Sequence, residues 1–86
     1  MAVNLELRAE LPEDAIIFDG MSFDGSIVGV TTDDRVVYDY DKMVEELMVD
    51  EGWSYEEAAE WINYNTIRSL PYAGENAPII MYALQI

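Results

Sequence analysis

The spacing of the apolar residues changes near residue 40, and this change constrains the fold more than any other feature of the sequence. Before it, apolar residues alternate with polar ones or form short β-branched runs, as strands do. After it, they recur at three- and four-residue intervals, as in amphipathic helices. A chain of 86 residues has room for one domain. The sequence therefore predicts one α+β domain over residues 1–86.

The first part of the chain is predicted to form strands. Apolar and polar side chains alternate strictly from Val3 to Leu11, and this period of two is typical of a half-buried strand. Pro12 lacks a backbone donor and would end the ladder of hydrogen bonds. A short apolar run at residues 15–18 predicts a second strand.

A loop, a hairpin and a final strand complete the predicted sheet. Two Asp-Gly steps within residues 19–26 favour a loop. Residues 27–40 contain two β-branched runs separated by a turn at Asp33 and Asp34, which predicts a β-hairpin. The apolar run at residues 77–84 predicts a buried strand. Together these patterns predict a small, mainly antiparallel sheet of three to five strands.

Two amphipathic helices are predicted between the hairpin and the final strand, packed as a pair on one face of the sheet. Residues 41–51 separate apolar from acidic side chains, and Gly52 suits a left-handed residue after the helix. A capping box formed by Ser54 and Glu57 predicts a second helix over residues 54–69. The side chains predicted to face the core are Met43, Val44, Leu47, Met48, Tyr55, Ala58, Ala59, Trp61 and Ile62.

The charge of the chain is its strongest indication of function. Eighteen acidic residues stand against four basic ones, which gives a formal net charge of −14. This surplus disfavours direct binding to nucleic acid or to an anionic membrane, because both attract Lys and Arg. It favours a partner with a basic surface, approached by electrostatic steering. Solubility, or adaptation to a salty cytoplasm, is an alternative explanation of the same surplus.

The residue types that most enzymes use are missing. The chain has no His and no Cys, so the usual general base, the strongest nucleophile and any disulfide are absent. No Gly-rich phosphate loop occurs. We therefore expect neither an enzyme nor a cofactor.

A metal site is also not expected, although several Asp residues lie close together around the start of the first predicted helix. A calcium loop beginning at Asp39 would need Gly in place of Val44. We expect Asp39 or Asp41 to cap the helix instead. These residues are Asp33, Asp34, Asp39 and Asp41.

The predicted location is the cytoplasm. Residues 1–15 contain neither a basic leader nor a long apolar run, and no stretch is long enough to cross a bilayer. A monomer and a homodimer are both compatible with the sequence.

The predicted binding surface combines outward-facing acids of both helices and the hairpin turn with two aromatic residues that could anchor a partner. Carboxylates three or four residues apart on a helix lie about 5–6 Å apart, whereas each strand of B-DNA carries one charge per about 3.4 Å of helix axis. Imitation of a duplex would therefore need several elements. The predicted partner-binding residues are Asp33, Asp34, Glu45, Glu46, Asp50, Trp53, Glu56, Glu57, Glu60 and Tyr64.

Residues 38–82 contain the run EEA-x-EWI-x-YNT-I-R-x-LPY followed by APII, and they resemble small proteins carried by phages and prophages of Gram-positive bacteria. In size and charge the chain is also similar to phage-encoded acidic inhibitors, including anti-CRISPR and anti-restriction proteins that imitate DNA. The resemblance implies an inhibitor that occupies the basic DNA- or RNA-binding site of a host enzyme, such as a CRISPR effector, in the host cytoplasm.

Two other functions remain open at this point. One is an antitoxin or immunity-like protein that neutralises a basic toxin or nuclease. The other is a small structural or accessory phage protein whose acidity is incidental.

Overall fold

A computed structural model describes residues 4–18 and 23–84 of the chain. The strands are β1 (Ile27–Val30), β2 (Val36–Asp39) and β3 (Ile79–Met81). The α-helices are α1 (Leu5–Ala9), α2 (Tyr40–Glu51) and α3 (Tyr55–Trp61). A π-helical segment (Ile62–Ile67) continues α3, and single 3-10 turns lie at Asp24–Ser26 and Leu70–Tyr72. The helices pack against the sheet, and the predicted α+β class is confirmed.

The sheet has the order β1-β2-β3. Strands β1 and β2 form the predicted antiparallel hairpin, with Val30 opposite Val36, and Asp34 adopts the left-handed conformation in its turn. Strand β3 runs parallel to β2, with Ile79 opposite Val37. A parallel pair requires a crossover connection, and α2 and α3 provide it. The final strand is confirmed, but its three residues are half-buried rather than buried.

Local capping interactions explain where α2 and α3 begin and end. The Asp39 carboxylate accepts a hydrogen bond from the backbone N–H of Asp41 at 3.0 Å, which satisfies a donor that the first helical turn leaves without a partner. Gly52 closes α2 with φ of 70°, a conformation that costs little for Gly. The Ser54–Glu57 capping box has both of its hydrogen bonds, each 3.2 Å long. These three predictions are confirmed.

The core lies where β2, α2 and α3 meet. Its buried apolar residues are Phe23, Val36, Tyr38, Tyr40, Met43, Val44, Leu47, Ala58 and Ile62. Trp61 and Ala59 are only half-buried against this cluster. The prediction that Tyr55 faces the core is wrong, because its side chain, in the first turn of α3, is 54% exposed. Among the described residues, no helix is both long and apolar enough to cross a membrane.

The prediction of a strand over residues 3–11 is wrong for the part that the structure describes, which excludes Val3. Residues from Leu5 onward form α1, and Leu5 itself is 76% exposed. The Asn4 side chain accepts a hydrogen bond from Leu7 N at 3.0 Å and caps the helix. Its backbone N–H donates to Asp24 Oδ2 at 2.7 Å. The segment is therefore held by a local helix cap and by a hydrogen bond to a residue twenty positions away, rather than by pairing with another strand.

The prediction of a strand at residues 15–18 is also wrong. The segment is irregular and half-buried, and it contributes Ala15, Ile17 and Phe18 to the edge of the core. Phe18 N donates to the Tyr38 hydroxyl at 3.3 Å, so a side chain satisfies this donor. In the predicted loop, residues 19–22 lie outside the described residues, and Phe23 is buried before a 3-10 turn.

Candidate partner-binding surface

Carboxylates dominate the surface of the described residues. They occur on α1, on both longer helices and in the connecting turns, and a surface of this kind attracts cationic partners. The exposed acids are Glu6, Glu10, Glu13, Asp14, Asp33, Asp34, Glu45, Asp50, Glu51, Glu56, Glu57, Glu60 and Glu75.

Two of the four basic side chains are engaged within the fold. Arg8 pairs with Asp24 through two contacts, Nε to Oδ2 at 2.8 Å and Nη2 to Oδ1 at 3.1 Å. The Arg35 Nε donates to the Ala77 carbonyl oxygen at 2.8 Å. These guanidinium groups bind internal acceptors rather than exposed carboxylates, which leaves Lys42 and Arg68 as the exposed cations among the described residues.

The predicted turn residues lie at one end of the hairpin. Asp33 and Asp34 are both exposed. The Asp33 carboxylate accepts a hydrogen bond from the Thr31 hydroxyl, and the Thr31 hydroxyl accepts one from Arg35 N at 3.0 Å. These hydrogen bonds lie within the turn, and neither acid shares a concave surface with the other predicted residues.

Three predicted acids of α2 line one concave surface, which we call the acidic hollow. Its volume is about 530 Å³. It lies between α2 and the 3-10 turn at Asp24–Ser26. The residues that line it are Asn4, Gly25, Lys42, Glu45, Glu46, Val49 and Asp50.

Glu46 differs from its neighbours in this hollow. Its carboxylate accepts a hydrogen bond from the Ser26 hydroxyl at 2.6 Å, and the side chain is half-buried rather than solvated as predicted. Burial raises the pKa of Glu46, and the negative charges of Asp50 and Asp24 raise it further, against the opposing hydrogen bond from Ser26. Glu46 thus joins α2 to the turn.

All but one of the other predicted residues meet in a second concave surface, which we call the aromatic groove. Its volume is about 380 Å³, near the small end of the range of about 300–1,000 Å³ for ligand sites. It lies at the break between α2 and α3 and along the first two turns of α3. The residues that line it are Trp53, Glu57, Glu60, Trp61, Tyr64 and Asn65. Glu56 is exposed on α3 but lines neither surface.

Packing from behind holds the rings of the aromatic groove. The ring centroids of Trp53 and Trp61 are 6.5 Å apart, and the buried ring of Phe23 lies 6.4 Å from Trp61. Trp53 stands between the left-handed Gly52 and the capping residue Ser54, so both sides of its backbone are fixed. The groove is therefore a largely preformed surface.

The far wall of the groove belongs to the π-helical segment. A π-helix shifts the backbone hydrogen bond from the fourth residue to the fifth and widens the turn. The Asn65 side-chain amide donates to the Trp61 carbonyl oxygen at 3.0 Å. Tyr64, which lies in the same turn, is 63% exposed, and the Arg68 guanidinium lies 5.9 Å from the centre of its ring. Such segments are frequent at functional sites.

Sequence reasoning missed Trp61 and Asn65 as surface residues. Glu57, Trp61 and Tyr64 follow one another at intervals of four and three residues, so they share one side of the helix. Trp61 lies at the boundary between the apolar and polar arcs, and the apolar character of its ring predicts a place in the core. A wide ring at such a boundary can pack on the core and still line a groove.

The side chains of this surface offer groups that can bind a partner. Carboxylates accept hydrogen bonds and attract cations, while the Trp and Tyr rings offer flat apolar faces. Asp39 caps α2 and is buried. Within residues 4–18 and 23–84, no three acidic side chains are grouped so that they could hold a metal ion.

Comparison of the chain with models of known protein families, with curated proteins and with solved structures found no match.

Proposed function

We propose that this protein is a phage-type inhibitor that binds the basic nucleic-acid-binding site of a host enzyme, such as a CRISPR effector. The observation that carries the proposal is the large excess of exposed carboxylates over exposed cations on the described surface. An excess of this kind destabilises a small fold by self-repulsion. Contact with Arg and Lys side chains of a partner relieves that repulsion.

The arrangement of the acids supports binding to an extended basic site. They are spread over α1, α2, α3 and the hairpin turn, rather than gathered at one point. A cleft that binds a nucleic-acid backbone likewise presents its cations along the path of the backbone rather than at one point. Electrostatic steering would raise the association rate, and salt would reduce it because the Debye length is about 10 Å at 0.1 M.

The test is capture by the immobilised protein from a lysate of the host, followed by identification of the retained proteins. We expect nucleic-acid-binding enzymes to be retained at low salt and released by duplex DNA. Each captured enzyme is then assayed with purified inhibitor. If duplex DNA fails to displace the retained proteins and their activity is unchanged, the proposal is wrong.

A matched pair of variants separates a defined surface from net charge alone. The test variant carries Glu45→Lys, Glu56→Lys and Glu60→Lys, which reverse exposed acids of α2 and α3. The control carries Glu13→Lys, Asp14→Lys and Glu75→Lys, with the same change in total charge. We expect the test variant to lose inhibition and the control to keep most of it. Circular dichroism and thermal unfolding check that both variants remain folded.

The capture experiment also distinguishes the two alternative functions. An antitoxin or immunity-like protein would be displaced by the substrate of its toxin and not by unrelated duplex DNA. A structural protein would assemble with itself and would retain no basic partner.

A further inference from the structure

We propose that the aromatic groove is a receptor for a single arginine side chain of the partner protein. This inference rests on the proposed function, because it names the contact through which the basic partner would be anchored. It is also narrower, since it assigns one ligand chemistry to one surface of the molecule.

The groove combines the two features that a guanidinium group requires. Trp53 and Trp61 present aromatic rings, whose faces attract cations. Glu57 and Glu60 place two carboxylates on the same surface, and a planar guanidinium donates paired hydrogen bonds to a carboxylate. An anionic ligand would be repelled, and a neutral apolar ligand would leave the Glu60 carboxylate without a donor.

The two carboxylates differ in whether a hydrogen bond within the protein already holds them. Glu57 accepts a hydrogen bond from Ser54 N through Oε1, so its side chain is held in one position. Glu60 is exposed and makes no ion pair or hydrogen bond with the described residues. Glu60 is therefore the acceptor available to a cation from outside, and Glu57 contributes negative charge from a fixed position.

One guanidinium of the protein already lies over an aromatic ring that lines this groove. Arg68 lies over the Tyr64 ring at 5.9 Å from its centre, within the distance of about 6 Å at which cations are attracted to aromatic faces. Arginine rather than lysine is favoured, because its flat group stacks on rings and is less strongly hydrated. The contact between Arg68 and Tyr64 thus illustrates the chemistry assigned to the partner.

The position of the groove also suits an anchoring contact. The Trp61 ring packs on the buried Phe23, and the backbone of Trp53 is held between Gly52 and the capping residue Ser54, so the loss of side-chain entropy on binding is reduced. Residues that carry most of the binding energy in interfaces are enriched in Trp, Tyr and Arg. The contact between the acidic surface and the partner would be large and would depend little on the exact positions of single charges. One arginine inserted among these rings would fix how the two proteins are placed against each other.

The two Trp residues allow a direct test, because they are the only Trp residues of the chain and both line the groove. The probe is the peptide Gly-Gly-Arg-Gly-Gly with blocked ends, titrated while the Trp fluorescence is recorded. The comparison peptide has citrulline, the neutral isostere of arginine, at the central position. We expect the arginine peptide to change the fluorescence in a saturable manner and the citrulline peptide to bind roughly two- to thirtyfold more weakly.

Two variants with equal charge locate the effect. Glu60→Gln should weaken binding of the arginine peptide several-fold, whereas Glu75→Gln, at an exposed position outside both concave surfaces, should leave it unchanged. Equal binding of the two peptides, or equal weakening by the two variants, would overturn the proposal.

The captured enzyme gives the complementary measurement. If the Glu60→Gln variant inhibits the captured enzyme as well as the unaltered protein does, the assignment of an arginine receptor is wrong while the proposed inhibition stands. If the peptide binds but no enzyme is inhibited, only the proposed function fails.

Discussion

The Ser26 hydroxyl donates a hydrogen bond to the Glu46 carboxylate at 2.6 Å and so connects the 3-10 turn before the sheet to the middle of α2. The carboxylate is half-buried there. A charged group in this position strengthens the hydrogen bond but loses hydration. The balance between these effects makes Glu46 a sensitive position in the fold.

The replacement Glu46→Gln should stabilise the protein near neutral pH. Burial raises the pKa of Glu46 above its ordinary value of 4.5, so the folded state binds a proton more tightly than the unfolded state. The contribution of Glu46 to stability is therefore fully present below its ordinary pKa and is lost as the pH rises through its raised, folded-state pKa. Gln remains neutral and keeps an acceptor for Ser26.

The measurement is thermal unfolding of both proteins between about pH 4 and pH 8. The advantage of the Gln variant should be largest at the upper end and should shrink as the pH falls. Glu45→Gln makes the same change in net charge at an exposed position. If it stabilises the protein as much and with the same pH dependence, general charge repulsion is responsible rather than burial of Glu46.

The replacement Gly25→Ala should destabilise the protein by about 1 kcal/mol, which is the typical net contribution of one hydrogen bond. A Cβ atom at Gly25 would lie 2.8 Å from Glu46 Oε1, so the carboxylate would have to leave its position beside Ser26. Gly29→Ala is the matched control, because a Cβ at that strand position meets no atom within 4 Å. Urea unfolding of both variants measures the difference. Equal stability would show that Glu46 can shift without losing its contact.

The Arg8–Asp24 pair should respond unequally to loss of its two members. The Asp24 side chain is 1% exposed and the Arg8 side chain is 30% exposed. Arg8→Ala leaves a buried carboxylate without its guanidinium and should cost about 3 kcal/mol. Asp24→Asn keeps an acceptor for Asn4 N and leaves a cation that can turn toward water, so its cost should be smaller. Denaturant unfolding gives both values, and the opposite order would contradict this account.

The cap of α2 should depend on Asp39 and not on its neighbour. Asp39→Ala removes the acceptor for Asp41 N and should cost about 1–2 kcal/mol. Asp41→Ala removes a carboxylate of the first helical turn, which interacts favourably with the helix dipole, and should cost about 0.3–1 kcal/mol. Both variants lose one negative charge. The difference between them in thermal unfolding therefore compares the hydrogen-bonded cap with the dipole interaction. A greater loss for Asp41→Ala would be evidence against the assigned cap.

Most of the elements that were predicted correctly are specified by neighbouring residues, and strand β3, which pairs with β2, is the exception. The hairpin, the caps at Asp39 and Ser54 and the left-handed Gly52 each follow from a few adjacent positions. The two wrong strands depend on distant partners instead. Asn4 binds Asp24 and Phe18 binds Tyr38, each across twenty residues, and no periodicity within a short segment indicates such a contact.

The candidate surfaces were predictable in their charge but not in their shape. The acids of α2 and α3 are visible in the sequence, and most of those predicted are exposed. Glu46 departs from this pattern because a turn from another part of the chain covers it. The aromatic groove depends on how α3 follows α2 and on the π-helical turn at Tyr64, which single-residue propensities do not indicate.

The internal contacts of Arg8 and Arg35 make tolerance to mutation asymmetric across this molecule. Each arginine links segments far apart in the chain, through Asp24 and through the Ala77 carbonyl. An exposed acid, by contrast, is one of many similar groups, and its loss changes stability by about 0.5 kcal/mol or less in most positions. Under selection for a folded protein, individual carboxylates can therefore drift while these two scarce cations are retained. The acidic surface can therefore change its pattern of carboxylates without loss of the fold that carries it.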